Sequence, residues 1–462
     1  MKAFAARFGG ATLAAQAGQI IWLAAGSRAM PRDRFGTILA AQALYGLLQI
    51  AVDNGSAWHG ARIAAAGALD DDRRGEIFRI RLQFVVPSLV VAFGFGLAAG
   101  STALAAIAPF MFALILFALL NYWEDFGEGN AAPWSAYIAL RAFGPAVAAM
   151  ICWLTPVGFP APLAGVLECI AIIAVAAGFG LRPLRGLVLA RRARSGPWRE
   201  ALTIGSTSVL SQGTLAYGTV LLTTTGHAAN AALLAVGVRL LTGVNGIVGV
   251  VTTALFPRLA KRGATEGGKW SLQDRDRVSL VAWLVVVVAA GAAGLFMADP
   301  KFFTHLLLDD VTHSAASTSG IVLGCGAASG IALLLTAVHI AEGTERIPLR
   351  GVMISTGFTV IVTTGILAAP GFRLTGIALT LLAGQLLLMA VLGHATTRHA
   401  AEFTGVLRSV SIIAFAIAAL VIVGMTYHDG QAPVALTLIV LAAATGVKAG
   451  QVRRRLYDSA TT

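Results

Sequence analysis

The sequence predicts an all-α, polytopic membrane protein. About 14 transmembrane helices form two six-helix lobes in pseudo-twofold arrangement, followed by two C-terminal helices. Three observations predict it. Of 462 residues, 57% are hydrophobic and 12% charged, and the mean hydropathy is +0.79; a water-soluble fold of this composition is excluded. The apolar residues form long continuous runs such as Val278 to Ala298, close to the ~20 residues that cross ~30 Å of hydrocarbon, and not the short alternating stretches of a barrel. The basic residues behind the net charge of +12 fall between alternate runs, the pattern that sets membrane orientation.

The runs place spans at about 11–30, 35–58, 82–100, 103–122, 134–154, 161–181, 202–224, 230–256, 278–298, 317–341, 351–369, 374–395, 409–426 and 433–447. The first follows a basic start, Lys2 and Arg7, as a signal peptide would. Gln16, Gly18 and Gln19 interrupt its apolar centre, and its removal would invert the charge pattern, so it is expected to be retained. Arg62 to Arg81 separates the second span from the third. The acidic stretch Glu124, Asp125 and Glu128 separates the fourth from the fifth and reads as a solvated loop flanked by interfacial Trp123 and Trp134. Arg182 to Arg199 follows the sixth span, and Arg258 to Arg277 the eighth. The longest outer segment, between Asp299 and about Ala316, is too short for a soluble domain. Arg346 and Arg350 precede the eleventh span, Arg373 the twelfth, and Arg398 with Arg408 the thirteenth.

With the N-terminus inside, 27 of the 34 basic residues are cytoplasmic and five (Arg28, Arg32, Arg34, Lys301, Arg373) are outside; Arg141 and Arg239 lie within spans. That imbalance supports the even helix count and two cytoplasmic termini in the inner membrane. The basic loops carry no interleaved aromatics, so nucleic acid is not an expected partner. Cys152, Cys169 and Cys325 all sit in apolar runs, which argues against a disulfide framework.

The basic linker at 182–200 separates an N-lobe at 1–181 from a C-lobe at 201–405, and residues 406–462 hold the last two helices and a basic tail. Because six is even, the two lobes would enter the membrane in the same orientation, as a parallel repeat. At an offset of 196, Gly9 aligns with Gly205, Gln16 with Gln212 and Arg62 with Arg258.

Local patterns converge on a family. Pro31-Arg32-Asp33-Arg34-Phe35-Gly36 resembles the Pro-Glu-x-x-Gly loop that opens the second helix of polysaccharide flippases in the multidrug/oligosaccharidyl-lipid/polysaccharide (MOP) superfamily. Asp53-Asn54-Gly55 and Gly60-Ala61-Arg62 are similar to that family's glycine-containing helix end and following arginine. Ala235-Val236-Gly237-Val238-Arg239-Leu240 with Phe256-Pro257-Arg258-Leu259 resembles its Ala-x-x-Arg-Ile segment and exit proline. Leu306-Leu307-Leu308-Asp309-Asp310 resembles its Leu-Leu-Gly segment, with Asp309 in place of glycine, and Gly371 to Ala378 its Tyr-Gly-x-x-Gly-x-Ala start of the twelfth helix. The resemblance implies a flippase for polyprenyl-linked sugars, working by alternating access between two lobes.

The residues make a separate case for transport. An ionised side chain deep in hydrocarbon faces a wet cavity or a partner. At ~1.5 Å per residue, Arg239 lies about 13 Å from the outer end of the eighth span, near the midplane. Arg141 lies about 10 Å above the inner end of the fifth, and Glu168 about 10 Å below the outer end of the sixth. Asp53 is in the inner third of the second. A guanidinium suits the diphosphate of the family's substrates, because it donates two parallel bonds and stays charged. Arg239 is the first candidate, Arg141 another, and Arg28 and Arg62 stand at the outer and inner mouths. An ion pair of Arg239 with Glu168 or Asp53 is the alternative, and arginines at helix ends also serve as interfacial anchors. Asp53 and Glu168 are the carboxylates placed to couple transport to protonation. Ser208, Ser211 and Gln212 share one face of the seventh helix, as cavity lining or as small packing residues; Asn245 is grouped with the cavity residues.

His305 and His313 with Asp309 and Asp310 match no specific metal site, and no Walker-type P-loop occurs, so neither a metal nor any other cofactor is expected. Three functions compete: a lipid-linked oligosaccharide flippase, an ion-coupled drug or small-solute antiporter, and a membrane-embedded glycosyltransferase or polymerase, which would want paired carboxylates and a large outer loop. The leading reading is a transporter, not an enzyme. Its expected partners are the lipid-linked sugar, membrane lipids and glycan assembly proteins, the chain itself acting as a monomer.

Overall fold

The computed structural model describes residues 2–65, 69–127, 130, 132–155, 157–180, 188–191, 198–265, 271–308, 313–399, 404–426 and 431–461. Among them every regular element is a helix. The chain divides into two compact units, Met1–Ala235 with Leu307–Asp309, and Val236–Leu306 with Asp310–Thr462.

The first unit begins with α1 (Lys2–Ala29), α2 (Arg32–Asp53) and α3 (Ser56–Ala65), and continues through α4 (Asp71–Ala99), α5 (Ser101–Ala118), α6 (Tyr122–Gly127), α7 (Ala132–Leu154) and α8 (Leu163–Gly178) to α9 (Trp198–Thr224). Helix α10 (Ala228–Thr265) starts in this unit and runs on into the second. The second unit adds α11 (Leu272–Ala298), α12 (Pro300–Leu307), α13 (His313–Gly324), α14 (Gly326–Ala341), α15 (Arg346–Ala368), α16 (Leu374–His399), α17 (Thr404–Thr426) and α18 (Gln431–Thr461). Helix α9, assigned by sequence to the C-lobe, thus groups with α1 to α8.

Ten helical segments are long and apolar enough to cross a membrane, with α8 and the apolar part of α18 shorter. α1 and α9, at 28 and 27 residues, have the length of a span. Each of the fourteen spans read from sequence coincides with one of these. Large apolar side chains face outward along α4, where Val86, Val90 and Leu97 are 61–66% exposed; a stripe of that kind needs lipid around it.

Helix starts follow capping chemistry. Asp70 accepts a bond from Arg73 N at 2.8 Å and starts α4; Ser271 accepts from Asp274 N at 3.2 Å and starts α11. Helices then meet through small residues. Gly18 of α1 lies on the Ala142 backbone of α7, and Gly165 of α8 on Phe110 and Pro109 of α5.

Two spans and one connecting stretch depart from expectation. The second ends at Asp53 and not near 58: Asn54 and Gly55 take left-handed conformations, φ 43° and 71°, and a second helix, α3, begins at Ser56. The turn seats Gly55 on Gly205 of α9, and Gly205 in turn lies on Asn54. The tenth span is two helices, α13 and α14, divided at Cys325. The stretch around Glu124 is not a solvated loop. It forms α6, and Trp123 is fully buried against Phe78 with ring centroids 6.3 Å apart, because Gly60 of α3 leaves room for its ring. Glu124 itself pairs with Arg74 at 3.1 Å.

Candidate functional site

Among the described residues of the first unit, five polar side chains converge from α2, α7 and α8. Tyr45 and Gln49 are one turn apart on α2, and Tyr137 and Arg141 one turn apart on α7, so each pair shares a helix face. Glu168 comes from α8 and is 3% exposed. Its Oε1 accepts from the Tyr45 hydroxyl at 2.9 Å and from the Tyr137 hydroxyl at 2.5 Å. Its Oε2 faces Arg141 Nε at 3.5 Å. Arg141 also donates from Nη1 to Gln49 Oε1 at 2.6 Å, and Gln49 Nε2 donates to the Tyr137 oxygen at 2.6 Å. The ring closes: every polar side chain in it both holds and is held.

Aromatic packing fixes these groups. Arg141 Cζ lies 5.3 Å from the Tyr45 ring centroid, a cation–π contact, and Tyr45 stacks on Phe110 at 4.6 Å. Tyr137 packs on Trp134 at 5.2 Å, and Trp134 stacks on Tyr122 at 4.1 Å. The two charges are unequally placed. The Arg141 side chain is 34% exposed and that of Glu168 only 4%. Of the two charged side chains, that of Arg141 is therefore the more accessible, while the Glu168 carboxylate is buried.

A second cluster gathers at the end of α2. Asp53 Oδ1 accepts from Ser56 Oγ and from the Tyr122 hydroxyl, both at 3.2 Å, and Arg81 Nε lies 3.8 Å away. Arg81 is fully buried, donates to the carbonyls of Phe117 and Leu120, and lies 4.9 Å from the Phe117 ring centroid. It thereby adds a side-chain donor to carbonyls at and just after the end of α5.

The other sequence candidates are scattered. Arg28 donates to Ala24 O at 2.7 Å on its own helix and lies 5.7 Å from the Trp153 ring centroid, the setting of an interfacial anchor. On α9, Ser208 bonds back to Ile204 O at 3.1 Å, as Thr207 and Thr214 do to their own i−4 carbonyls; Gln212 is exposed. In the second unit Arg239 is half-buried on α10, and Asn245 Nδ2 donates to Ser329 Oγ at 2.8 Å. The Arg62 and His313 side chains, with Glu128, Asp309 and Asp310, lie outside the described residues. Glu168 and Asp53 each have an arginine, Arg141 and Arg81, within their own unit.

Sequence reasoning singled out Arg141, Glu168 and Asp53 and missed Tyr45, Gln49, Tyr137 and Arg81. The signal for the first three of these was the i, i+4 spacing of polar groups within apolar spans; Arg81 had been counted with a loop, whereas α4 begins at Asp71 and carries it inside.

No protein-family profile and no curated protein matches the chain. Solved structures do match its fold. An inward-facing multidrug resistance MATE family transporter of the MOP superfamily aligns with TM-score 0.59 at 13% identity, over 85% of this chain and 95% of that one. An outward-facing conformation of such a transporter aligns with TM-score 0.58 at 14% identity, over 86% and 96%. A MOP superfamily transporter from Pyrococcus furiosus, described as having a binding pocket of reverse polarity that suggests a different function, aligns with TM-score 0.53 at 14% identity, over 86% and 95%. The chain thus has the fold of the MATE transporters.

Proposed function

We propose that this chain is an alternating-access transporter that moves a polyprenyl-(di)phosphate-linked oligosaccharide, or a related glycolipid, across the cytoplasmic membrane. The observation that carries the substrate reading is the polarity of the α2–α7–α8 cluster: Arg141 is its more accessible charged side chain, half-buried, and Glu168 is buried. An anionic head group is drawn to that guanidinium, while a cationic drug meets the wrong sign first. Arg239, on α10 in the second unit, is a further guanidinium of the type that grips phosphate. Transport by alternating access rests on the fold, which solved relatives display in inward- and outward-facing forms. Both termini are cytoplasmic in this reading, on the strength of the basic loops.

An ion-coupled drug antiporter is the second reading, and the buried carboxylate Glu168 favours it, since an ionisable group held by two tyrosines is the kind of residue that couples a proton to transport. The two readings separate in proteoliposomes. Purified protein should speed the movement of a fluorescent polyprenyl-diphosphate oligosaccharide between leaflets, and Arg141→Gln should slow it by about tenfold or more. Proton-driven efflux of a cationic dye, with no movement of the glycolipid, would replace the first reading with the second.

A further inference from the structure

His339 lies near the C-terminal end of α14 in the second unit and is 1% exposed. Its Nδ1 is 2.9 Å from Thr344 Oγ1, in the turn that follows α14, and its Nε2 is 3.0 Å from Thr396 Oγ1, on α16. Each hydroxyl has a second neighbour. Thr344 Oγ1 is 3.1 Å from His339 O, and Thr396 Oγ1 is 2.8 Å from Leu392 O. A hydroxyl has one proton to give. When both threonines give theirs to the carbonyls, both oxygens can only accept from the ring, and the imidazole must carry two N–H groups: it is an imidazolium. When the ring is neutral, one threonine must turn its proton from the carbonyl to the bare nitrogen.

We propose that His339, Thr344 and Thr396 form a proton-binding site that ties the α14–α15 turn to the end of α16, more tightly when the proton is bound. Both states keep each ring nitrogen bonded, so the proton enters without stranding a buried polar atom. Binding adds one hydrogen bond: four bonds donated by side chains join the three residues and the two carbonyls in the charged state, three in the neutral one. Two of those four then start from a charged donor, which roughly doubles their strength. The balance is simple: the imidazole lone pair takes the proton, and one threonine O–H rotates back to its carbonyl.

Glu345 follows Thr344 in the chain, and its Oε2 is buried without a hydrogen-bond partner. α14 itself bears no other ionisable side chain than His339 and, among the helices packed on it, these ends bring Arg346 and Arg350 on α15, His394 on α16 and Arg408 on α17, with Arg398 and His399 in the last turn of α16, their side chains outside the described residues. α11 runs antiparallel to α14, since Gly326 and Gly330 lie on Ala289 and Val285, so its start brings Asp274, Arg275, Asp276 and Arg277, with Arg277 Nη1 and Asp274 paired at 3.1 Å. Glu342 completes the turn. The site stands apart from the α2–α7–α8 cluster and does not depend on which substrate is carried.

The test uses the whole protein, labelled with ¹⁵N at its histidines and held in lipid nanodiscs between about pH 5 and pH 9. The His339 signal, assigned by its loss in His339→Gln, should move from the unequal nitrogens of a neutral ring to the equal nitrogens of an imidazolium as pH falls. Over the same range hydrogen exchange at 342–350 and 393–399 should slow in the wild type by several-fold, and this change should vanish in His339→Gln. Thr396→Ser keeps the hydroxyl and should keep the response, whereas Thr396→Val should lose it, which guards against misfolding of the histidine variant. A ring that stays in one form across the range, or exchange that responds to pH equally with and without His339, overturns the proposal.

Discussion

Arg141 Nε stands 3.5 Å from Glu168 Oε2, the carboxylate oxygen that neither tyrosine uses. The two tyrosines share Oε1, so each carboxylate oxygen faces a partner while the arginine side chain keeps some exposed surface. This asymmetry decides what each removal costs.

Arg141→Ala leaves a 4% exposed carboxylate without its counter-ion and should lower stability by about 3–5 kcal/mol. Glu168→Gln leaves an arginine that is a third exposed and should cost less. The double variant Arg141→Met with Glu168→Gln should recover most of the loss. Thermal unfolding of the four proteins in one detergent checks the cycle, and additive losses would show that the pair is not coupled.

Tyr137→Phe and Tyr45→Phe look alike on paper but should differ. Each removes a hydrogen bond to a buried carboxylate, worth about 1.5–3 kcal/mol. Tyr137 also accepts from Gln49 Nε2 at 2.6 Å, so its loss leaves a second buried donor unpaired. The ring of Tyr45 packs on Phe110 and Arg141, and phenylalanine keeps those contacts. Unfolding should therefore be at least 1 kcal/mol worse, to order of magnitude, for the Tyr137 variant.

The turn between α2 and α3 gives a third expectation. A Cβ on Gly205 would collide with Asn54, whose backbone is itself left-handed at φ 43°. Gly205→Ala should force the two helices apart and cost about 1–3 kcal/mol. Gly213→Ala, on the same helix where the nearest atom is a flexible Leu47 methyl at 3.6 Å, should be nearly silent. Equal unfolding temperatures for the two variants would mean that the turn yields freely.

These residues show what the sequence could and could not reveal. The fourteen helices were legible because hydrocarbon demands about 20 apolar residues whatever packs beside them. Arg141 and Glu168 were legible because a charge inside an apolar run is conspicuous. Their pairing was not: counting residues gives depth along a helix but not the direction a side chain faces, and Glu168 had been offered to Arg239 as well. Tyr45 and Tyr137 were hidden because an aromatic residue fits a membrane span without needing a reason. Arg81 was hidden by a boundary, since the Asp70 cap begins α4 eleven residues before the apolar run does. The break at Asn54-Gly55 was read as a helix end, yet its partner Gly205, 150 residues on, comes from packing alone.

The last expectation concerns Arg239, which the proposed function places against the anionic head of the substrate. It is half-buried on α10, a helix of 38 residues with no acidic residue of its own. If it grips a diphosphate, Arg239→Lys should lose much of the transport while keeping the charge, because an ammonium cannot make the planar two-bond contact. Arg239→Ala removes a charge-assisted bond of about 1.5–3 kcal/mol, which corresponds to roughly 10- to 150-fold weaker binding. A structural ion pair behaves differently. The alanine variant would then fold poorly, and removing the acidic partner as well would rescue it, as for Arg141 and Glu168. Binding of the polyprenyl-diphosphate oligosaccharide, measured on protein with unchanged unfolding temperature, separates the two. Unaltered affinity in a well-folded Arg239→Ala protein would exclude Arg239 as a contact of the substrate's head group.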